Sequence, residues 1–376
     1  MENKKLNIVR FIEEHPSDWE SLLTQKPYVL KIKRAPFGNG CYVMFNYDMI
    51  ESDNYDPIVA EARGLVLCIT PDKQVEVVRK GFNRFFNIGE GPAAQIDWDS
   101  AEASIKEDGT LVFASYYYGS WHFGTRQNFD LADAELNSEL YPTFQALWDE
   151  AAKNYLSLHE GNLVKGLTYC FELCSRHNRI VIDYPQPKIF LLAVFYNNAS
   201  GIEFDREQLE HEAHMIGCDI PEKYKLASEE DYARLVENFG VEHEGLVVRD
   251  QFGQRVKMKS KLYFDLHKSV SNGAMDREAI VGLVRAGEQA EFLSYFLEYE
   301  KKFKEIESLV AKANETISTI RHEAVIQRDS GMTRKDFAML HKDQRCSALW
   351  FKAWEDKLTD DFVTGISNEK FLEIFG

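Results

Sequence analysis

The 376-residue sequence contains no run of about 18 apolar residues, so no transmembrane helix is expected. Its first residues, MENKKLNIVRFIEEHP, are too charged for a secretory signal, and a cytoplasmic protein is expected. Neither G-x-G-x-x-G nor G-x-x-x-x-G-K-[ST] occurs, which excludes Rossmann and P-loop readings. Cysteines are few, at 41, 68, 170, 174, 218 and 346, and none forms a C-x-x-C pair, so a zinc ribbon is excluded. On a strand, Cys170 and Cys174 would lie about 13 Å apart, too far to share one metal, and the six thiols are read as reduced and mostly core. Repeats and low-complexity tracts are missing too. Basic residues are in deficit, with 44 Lys and Arg against 61 Asp and Glu, a net charge of −17. Taken alone, that balance argues against non-specific nucleic-acid binding, which leans on cations meeting phosphate.

What remains is ordinary for a globular enzyme: 44% hydrophobic and 28% charged residues in a length that suits two domains. Two basic clusters stand out in the acidic chain. They are KIKR at 31–34 and RVKMKSKLYFDLHK at 255–268, the latter with six basic residues, counting His267, and one acid. An acidic body with a local basic groove fits an enzyme that binds a nucleotide or nucleic acid at one place. The first 25 residues or so read as helical. From 41 to about 270 short β runs alternate with turns, interrupted by helical patterns at about 131–160 and 206–216. This predicts an α+β fold built on antiparallel sheet. From about 275 the period becomes helical, with i, i+4 charge pairs, and Thr333 is a plausible N-cap with Asp336 at its third position. A boundary near 270–276 divides the chain into 1–272 and an all-helical 273–376.

The chemistry centres on SIKEDGTLVF, residues 104–113. Asp-Gly is a strong hairpin signal, so the turn is expected to hold Lys106 at the edge of β structure. Downstream, Glu172 is the one acid in the apolar run LTYCFELC, and Glu244 leads the strand-like GLVVRD. Lys257 and Lys259 are two apart, so on a strand both face the same way, an arrangement that makes sense beside a polyanion. Taken singly, each has a plain structural reading: a hairpin lysine, a satisfied carboxylate, a solvated strand face.

Their order and spacing resemble the covalent nucleotidyltransferases, the ATP-dependent ligases and mRNA capping enzymes. Lys106-Glu107-Asp108-Gly109, Phe171-Glu172, Glu244-Gly245 and Lys257-Met258-Lys259 match that superfamily's motifs I, III, IV and V. EARGLVL (61–67), FFNIGE (85–90), NRIVIDY (178–184), KMKSKLYFDLH (257–267) and RKDFAM (334–339) resemble the ATP-dependent RNA ligases of the T-even phage tRNA-repair type. The likeness spans about 42–340 and includes the helical region, where capping enzymes and DNA ligases would show an OB-fold. It implies an antiparallel-sheet adenylyltransferase domain followed by a helical domain for RNA or tRNA choice, ATP and Mg2+ as cofactors with Mn2+ as an alternative, and single-stranded RNA or broken tRNA ends as partners. A monomer without membrane association is expected.

The resemblance also implies roles. Lys106 would carry AMP, with Gly109 beside it in the nucleotide-binding set. Tyr47, Arg63, Arg84, Phe86 and Arg126 would line the nucleotide pocket. Glu172 would take the ribose hydroxyls and Glu244 metal-bound water. Lys257 and Lys259 would neutralise the α-phosphate, and Tyr263 would serve ligation. Arg84 and Arg126 stand where the family usually has lysine. The family's metal-binding aspartates are not cleanly present, Glu288 and Glu291 being the nearest candidates. Arg334 and Lys335 are candidate phosphate contacts, a plain helix end being the other reading. A non-catalytic RNA-binding scaffold is the rival from another class, disfavoured by the intact set of nucleophile, acids and lysines. A free lysine is only ~0.04% neutral at pH 7. Lys257, Lys259, Arg63 and a divalent metal are therefore expected to lower the pKa of Lys106, with Glu107 and Asp108 in the metal and nucleotide shell.

Overall fold

The computed structural model describes residues 5–37, 40–136, 138–240, 242–260, 263, 276–287, 289, 293, 299–344 and 346–376. The chain divides into two compact units, 1–264 and 265–376.

The runs of β-branched and aromatic residues in the first unit form three sheets. One holds β1 (Leu30–Phe37), β2 (Gly40–Tyr47), β3 (Arg63–Ile69) and β4 (Val75–Arg79), paired antiparallel in that order. Next in the chain come β5 (Phe86–Asn87), β6 (Glu102–Ile105), β7 (Thr110–Tyr117), β8 (Ser120–Gly124), β9 (Leu167–Cys174), β10 (Lys188–Tyr196), β11 (Lys223–Tyr224), β12 (Gly245–Arg249) and β13 (Arg255–Lys259). A second antiparallel sheet has the order β10-β9-β7-β8 and a third β11-β6-β12-β13-β5, in which only the β13–β5 pair is parallel. Antiparallel pairing thus dominates, as expected.

β9 explains why one acid can sit in an apolar run. All eight of its residues are buried. Leu167, Tyr169, Phe171 and Leu173 pack on the side of the helices Phe144–Ala152 and Arg206–Ile216, with Leu147, Trp148, Leu209 and Ile216. Cys170 belongs to a different cluster, with Phe113, Ala193 and Phe195. Glu172 shares the parity of Cys170, because side chains alternate along a strand, and so leaves the helix-covered core. Cys170 and Cys174 are both fully buried free thiols.

The helical pattern at 131–160 is realised only as the helix Phe144–Ala152 between 3-10 turns at Leu131–Asp133 and Glu160–Asn162. The reason is local: Pro142 resists helix on its N-terminal side, and Thr143 caps the start by accepting from the Ala146 N–H at 3.3 Å. The Arg206–Ile216 helix forms as expected, with a capping box of Asp205 and Gln208 and a left-handed Gly217.

In the second unit the described elements are the helices Arg277–Ala286, Glu300–Asp329, Arg334–His341, Ser347–Trp354, Asp360–Thr364 and Asn368–Phe375. The 30-residue helix buries Phe303, Ile306, Ala313, Ile317, Ile320 and Ala324, a single stripe at helical spacing. Thr333 is an N-cap, accepting from the Asp336 N–H. Arg334 pairs with Glu355 at 2.6 Å on an exposed surface. No helix among the described residues is long and apolar enough to cross a membrane.

The N-terminal helix Asn7–Glu14 buries Ile8, Val9 and Ile12 against Val43, Phe45, Leu65 and Leu67. Its first turn is capped from afar. The buried Glu61 carboxylate accepts from the Asn7 N–H (3.0 Å), the Asn7 amide (2.7 Å) and the Ile8 N–H (2.9 Å). The same segment accepts from the Arg84 N–H at Ala60 and from the Tyr47 N–H at Ala62. Glu61→Ala leaves these buried donors without a partner. It should cost about 2 kcal/mol and several degrees in Tm; an unchanged Tm in the full-length protein would refute the cap.

Candidate active site

Lys106 follows β6 in one sheet, and β7 starts four residues later in another. The Lys106–Gly109 segment is therefore a crossing between sheets and not the hairpin that Asp-Gly suggested. The glycine is required by proximity: a Cβ on Gly109 would lie 2.4 Å from the Leu173 carbonyl oxygen and 2.9 Å from the Cys174 sulfur. Asp108 locks the crossing. Its buried carboxylate accepts from the Val181 and Ile182 N–H groups, each at 2.8 Å, and from the Tyr263 hydroxyl at 2.9 Å. Glu107 accepts from the Tyr184 hydroxyl at 2.8 Å. Of the two acids expected in the metal and nucleotide shell, Asp108 is thus committed to holding the backbone, because a carboxylate buried this deeply must be satisfied by protein donors, while Glu107 is half-buried and bonded to the Tyr184 side chain.

Glu244 lies just before β12 and is 2% exposed. One oxygen is 2.5 Å from the Lys106 amine and the other 2.8 Å from the Lys259 amine. The register makes this contact: Gly245 stands opposite Lys259, and the Lys106 N–H donates to the Gly245 carbonyl. Gly245 has φ 148, and a Cβ there would lie 2.0 Å from the Met258 carbonyl oxygen, so only glycine fits. Burial alone would push the Lys106 amine down, but the Glu244 and Glu172 carboxylates outweigh it and hold the ammonium above the ordinary lysine value. The expected lowering is therefore not found in the free protein: the nearest charge is an anion.

Lys257 behaves in the opposite way. Burial, then Arg63, Lys106 and Lys259, bring it down to about 8. It shares its strand face with Lys259, and its amine sits 4.9 Å from the centroid of the Phe85 ring. Arg63 lies 5.8 Å from the same ring, and its Nη1 is buried with no hydrogen-bond partner among the described residues. Burial raises the Glu172 carboxyl to about 8, against the pull of Lys106. Beside this cluster Arg84 lies 4.2 Å from the Tyr47 ring and 4.9 Å from that of Phe86. Arg126 lies 5.2 Å from Tyr47 and donates to its hydroxyl at 2.9 Å. The Arg84 Nη1 is likewise buried with no hydrogen-bond partner among the described residues. Uncompensated buried donors beside surplus cations are what a polyphosphate would satisfy.

The structure thus brings Lys106, Glu172, Glu244, Lys257, Lys259 and Arg63 into one electrostatically coupled group. Tyr47, Arg84, Phe86 and Arg126 form an adjoining stack. Gly109 and Tyr263 lie in the crossing and its support. Glu288 and Glu291 lie outside the described residues. Among the described residues no three His, Cys, Asp or Glu side chains stand close enough together to hold a metal ion. The sequence reading passed over Phe85, whose signal was the Phe85-Phe86 pair, and it assigned Glu61 no role.

A family model described as RNA ligase matches residues 61–266. A candidate bifunctional polynucleotide kinase/RNA ligase of Autographa californica nuclear polyhedrosis virus is 30% identical over 283 residues, 71% of this chain and 39% of that protein. A candidate RNA ligase of Thermovibrio ammonificans is 29% identical over 219 residues, 56% of this chain and 54% of that one. The chain thus spans about half or less of these curated relatives. A solved archaeal ATP-dependent RNA ligase shares the fold with a TM-score of 0.50 at 16% identity, covering 83% of this chain and 82% of its own. The fold is that of the ligase-type nucleotidyltransferases. The chain belongs to the RNA ligase family.

The buried Glu172 supplies a pH signature. Its carboxyl binds its proton more tightly in the folded chain (about 8) than in the unfolded one (4.5). Its contribution is present below pH 4.5 and is lost as the pH rises towards 8. Glu172→Gln removes the titration, so Tm should fall less between pH 5 and 8 than in the wild type. Parallel curves would contradict the assignment.

Proposed function

We propose that the protein is an ATP-dependent RNA ligase that joins an RNA 5′-phosphate to a 3′-hydroxyl through lysyl-AMP and RNA-adenylate. The observation that carries this reading is the pairing of Lys106 with Glu244 inside a cluster of cations. In the first step the neutral Lys106 amine attacks the α-phosphorus of ATP. A P–N bond forms, the bond to the β-phosphate breaks and pyrophosphate leaves. In the second, an RNA 5′-phosphate oxygen takes the AMP and frees the lysine. In the third, a 3′-hydroxyl attacks the activated 5′-phosphorus and AMP departs.

Each residue's part follows from its charge. Lys257, Lys259 and Arg63 neutralise the charge that develops on the phosphate. Tyr47, Arg84, Phe86 and Arg126 would hold the nucleotide, and Glu172, carrying its proton near neutral pH, would bond the ribose. Magnesium fits the donor set, because it binds through one or two carboxylates plus substrate phosphates and needs no all-protein cage. Glu244 would hold it together with the triphosphate, and the ion would supply positive charge beside the α-phosphate. Turning Glu244 away from Lys106 removes the anion that keeps the amine protonated, so ATP arrival and lysine activation are coupled through one carboxylate. The helical unit, without the covalent motifs, would serve the choice of RNA, a cleaved tRNA loop being one candidate substrate.

Incubation with ATP labelled in the α-phosphate should label the wild-type protein, and pyrophosphate should remove the label. Lys106→Ala should accept none, and Lys257→Ala or Lys259→Ala should slow labelling on the order of 10²-fold. Label on another residue, or normal rates in both lysine variants, would overturn the reading.

A further inference from the structure

The mechanism gives Phe85 no part, yet two of its cations lie against that ring. Lys257 and Arg63 come from different sheets, on β13 and β3, and stand 4.9 and 5.8 Å from the ring centroid. The chain around Phe85 explains the meeting. β5 runs parallel to β13, with Phe86 opposite Val256 and Asn87 opposite Lys257, and the Ile88 N–H donates to the Lys257 carbonyl at 2.9 Å. Successive residues of an extended segment take opposite sides. Phe86 therefore meets Arg84, and Phe85 meets Lys257 and Arg63. The ring is also fixed from behind. It meets Phe82 edge-on at 6.2 Å, and Phe82 meets Phe195 of β10 edge-on at 5.5 Å. Phe195 is buried with Phe113, Cys170 and Ala193, so the three rings form a column that reaches into the core.

The cations along this column are compensated in different ways. Arg255 lies 5.1 Å from Phe82 and pairs with Glu203. Lys257 and Arg63 make no ion pair among the described residues, and Glu90 and Glu172 act on them only through space. Burial works against the charge of both, and Arg63 further loosens the Lys257 proton. The face of an aromatic ring is negative and steadies a cation without bearing a formal charge. A carboxylate in its place would neutralise the two cations and compete with phosphate for them. An aliphatic side chain would leave two like charges uncompensated in a poorly hydrated site. Phenylalanine avoids both outcomes.

We propose that Phe85 is a positioning residue whose ring face holds Lys257 and Arg63 side by side, charged and open to the phosphates of the nucleotide. This rests on the RNA ligase reading, and the test separates the two. In the full-length protein Phe85 is replaced by monofluoro-, difluoro- and trifluorophenylalanine, which keep the ring's shape while draining its negative face. Affinity for α,β-methylene-ATP, whose bridging carbon prevents release of pyrophosphate, is measured beside lysyl-AMP formation from ATP labelled in the α-phosphate. Both should fall stepwise with each fluorine, to about a tenth in the trifluoro protein, while Tm holds. Phe85→Leu should lose about as much in both. A flat fluorine series would overturn the proposal. If Phe85→Leu alone were impaired, the ring would be packing and the proposal would fall as well. Stepwise loss of analogue binding in a protein that forms no lysyl-AMP would uphold the role of Phe85 and reject the ligase reading. Normal lysyl-AMP formation beside a flat series would do the reverse.

Discussion

The Glu244 carboxylate is the interaction on which the site depends. It is buried, bears one formal charge and lies between two ammonium groups that would otherwise repel each other. Removing one member of such a group leaves the others uncompensated in a poorly hydrated environment, which is why the arrangement is all or nothing. Lys257 is left out of the pairing, and burial, then the neighbouring cations, loosens its proton. The resting site is therefore a charged spring. Lys106 is held as an ammonium by the carboxylate it faces.

That balance requires three strands and a crossing to agree within a few tenths of an ångström. β6 delivers Lys106, β12 begins beside Glu244 and β13 carries both lysines, and their pairing is set by backbone register. The crossing to β7 is fixed by Asp108, which collects two N–H groups and the Tyr263 hydroxyl, and by the close approach that only Gly109 permits. Tyr263 supports this joint through its hydroxyl, which donates to Asp108, and its ring lies 5.2 Å from the Lys259 amine. Glu61 does comparable work for the segment that supports Tyr47 and Arg84. It fixes the N-terminal helix to the segment whose carbonyls receive the Tyr47 and Arg84 N–H groups.

Much of this was legible in the chain. Lys257 and Lys259 share a face because two-residue spacing on a strand requires it. Glu172 stood out because an acid in LTYCFELC needs a reason. The antiparallel sheets and the Thr333 cap followed from period and turn chemistry. What stayed hidden depends on contacts between distant segments. Asp-Gly carries the same local signal whether the next strand returns to the same sheet or enters another, so the crossing read as a hairpin. The partner of Lys106 lies 138 residues away, and no spacing rule could show that its nearest charge is negative. Glu61 carries no local signal of its role, since the donors it serves belong to residues 7 and 8.

The most direct test of the central claim is a titration of the Lys106 side chain by NMR, using protein labelled at the lysine ε-carbon. The resonance is assigned by comparison with Lys106→Arg, and wild type is set against Glu244→Gln without nucleotide. If Glu244 holds the ammonium, Lys106 stays protonated to a pH above the ordinary lysine value of 10.5 and titrates at lower pH once Glu244 is neutralised. A wild-type Lys106 that already loses its proton below that value, or one that is indifferent to Glu244→Gln, would contradict the account.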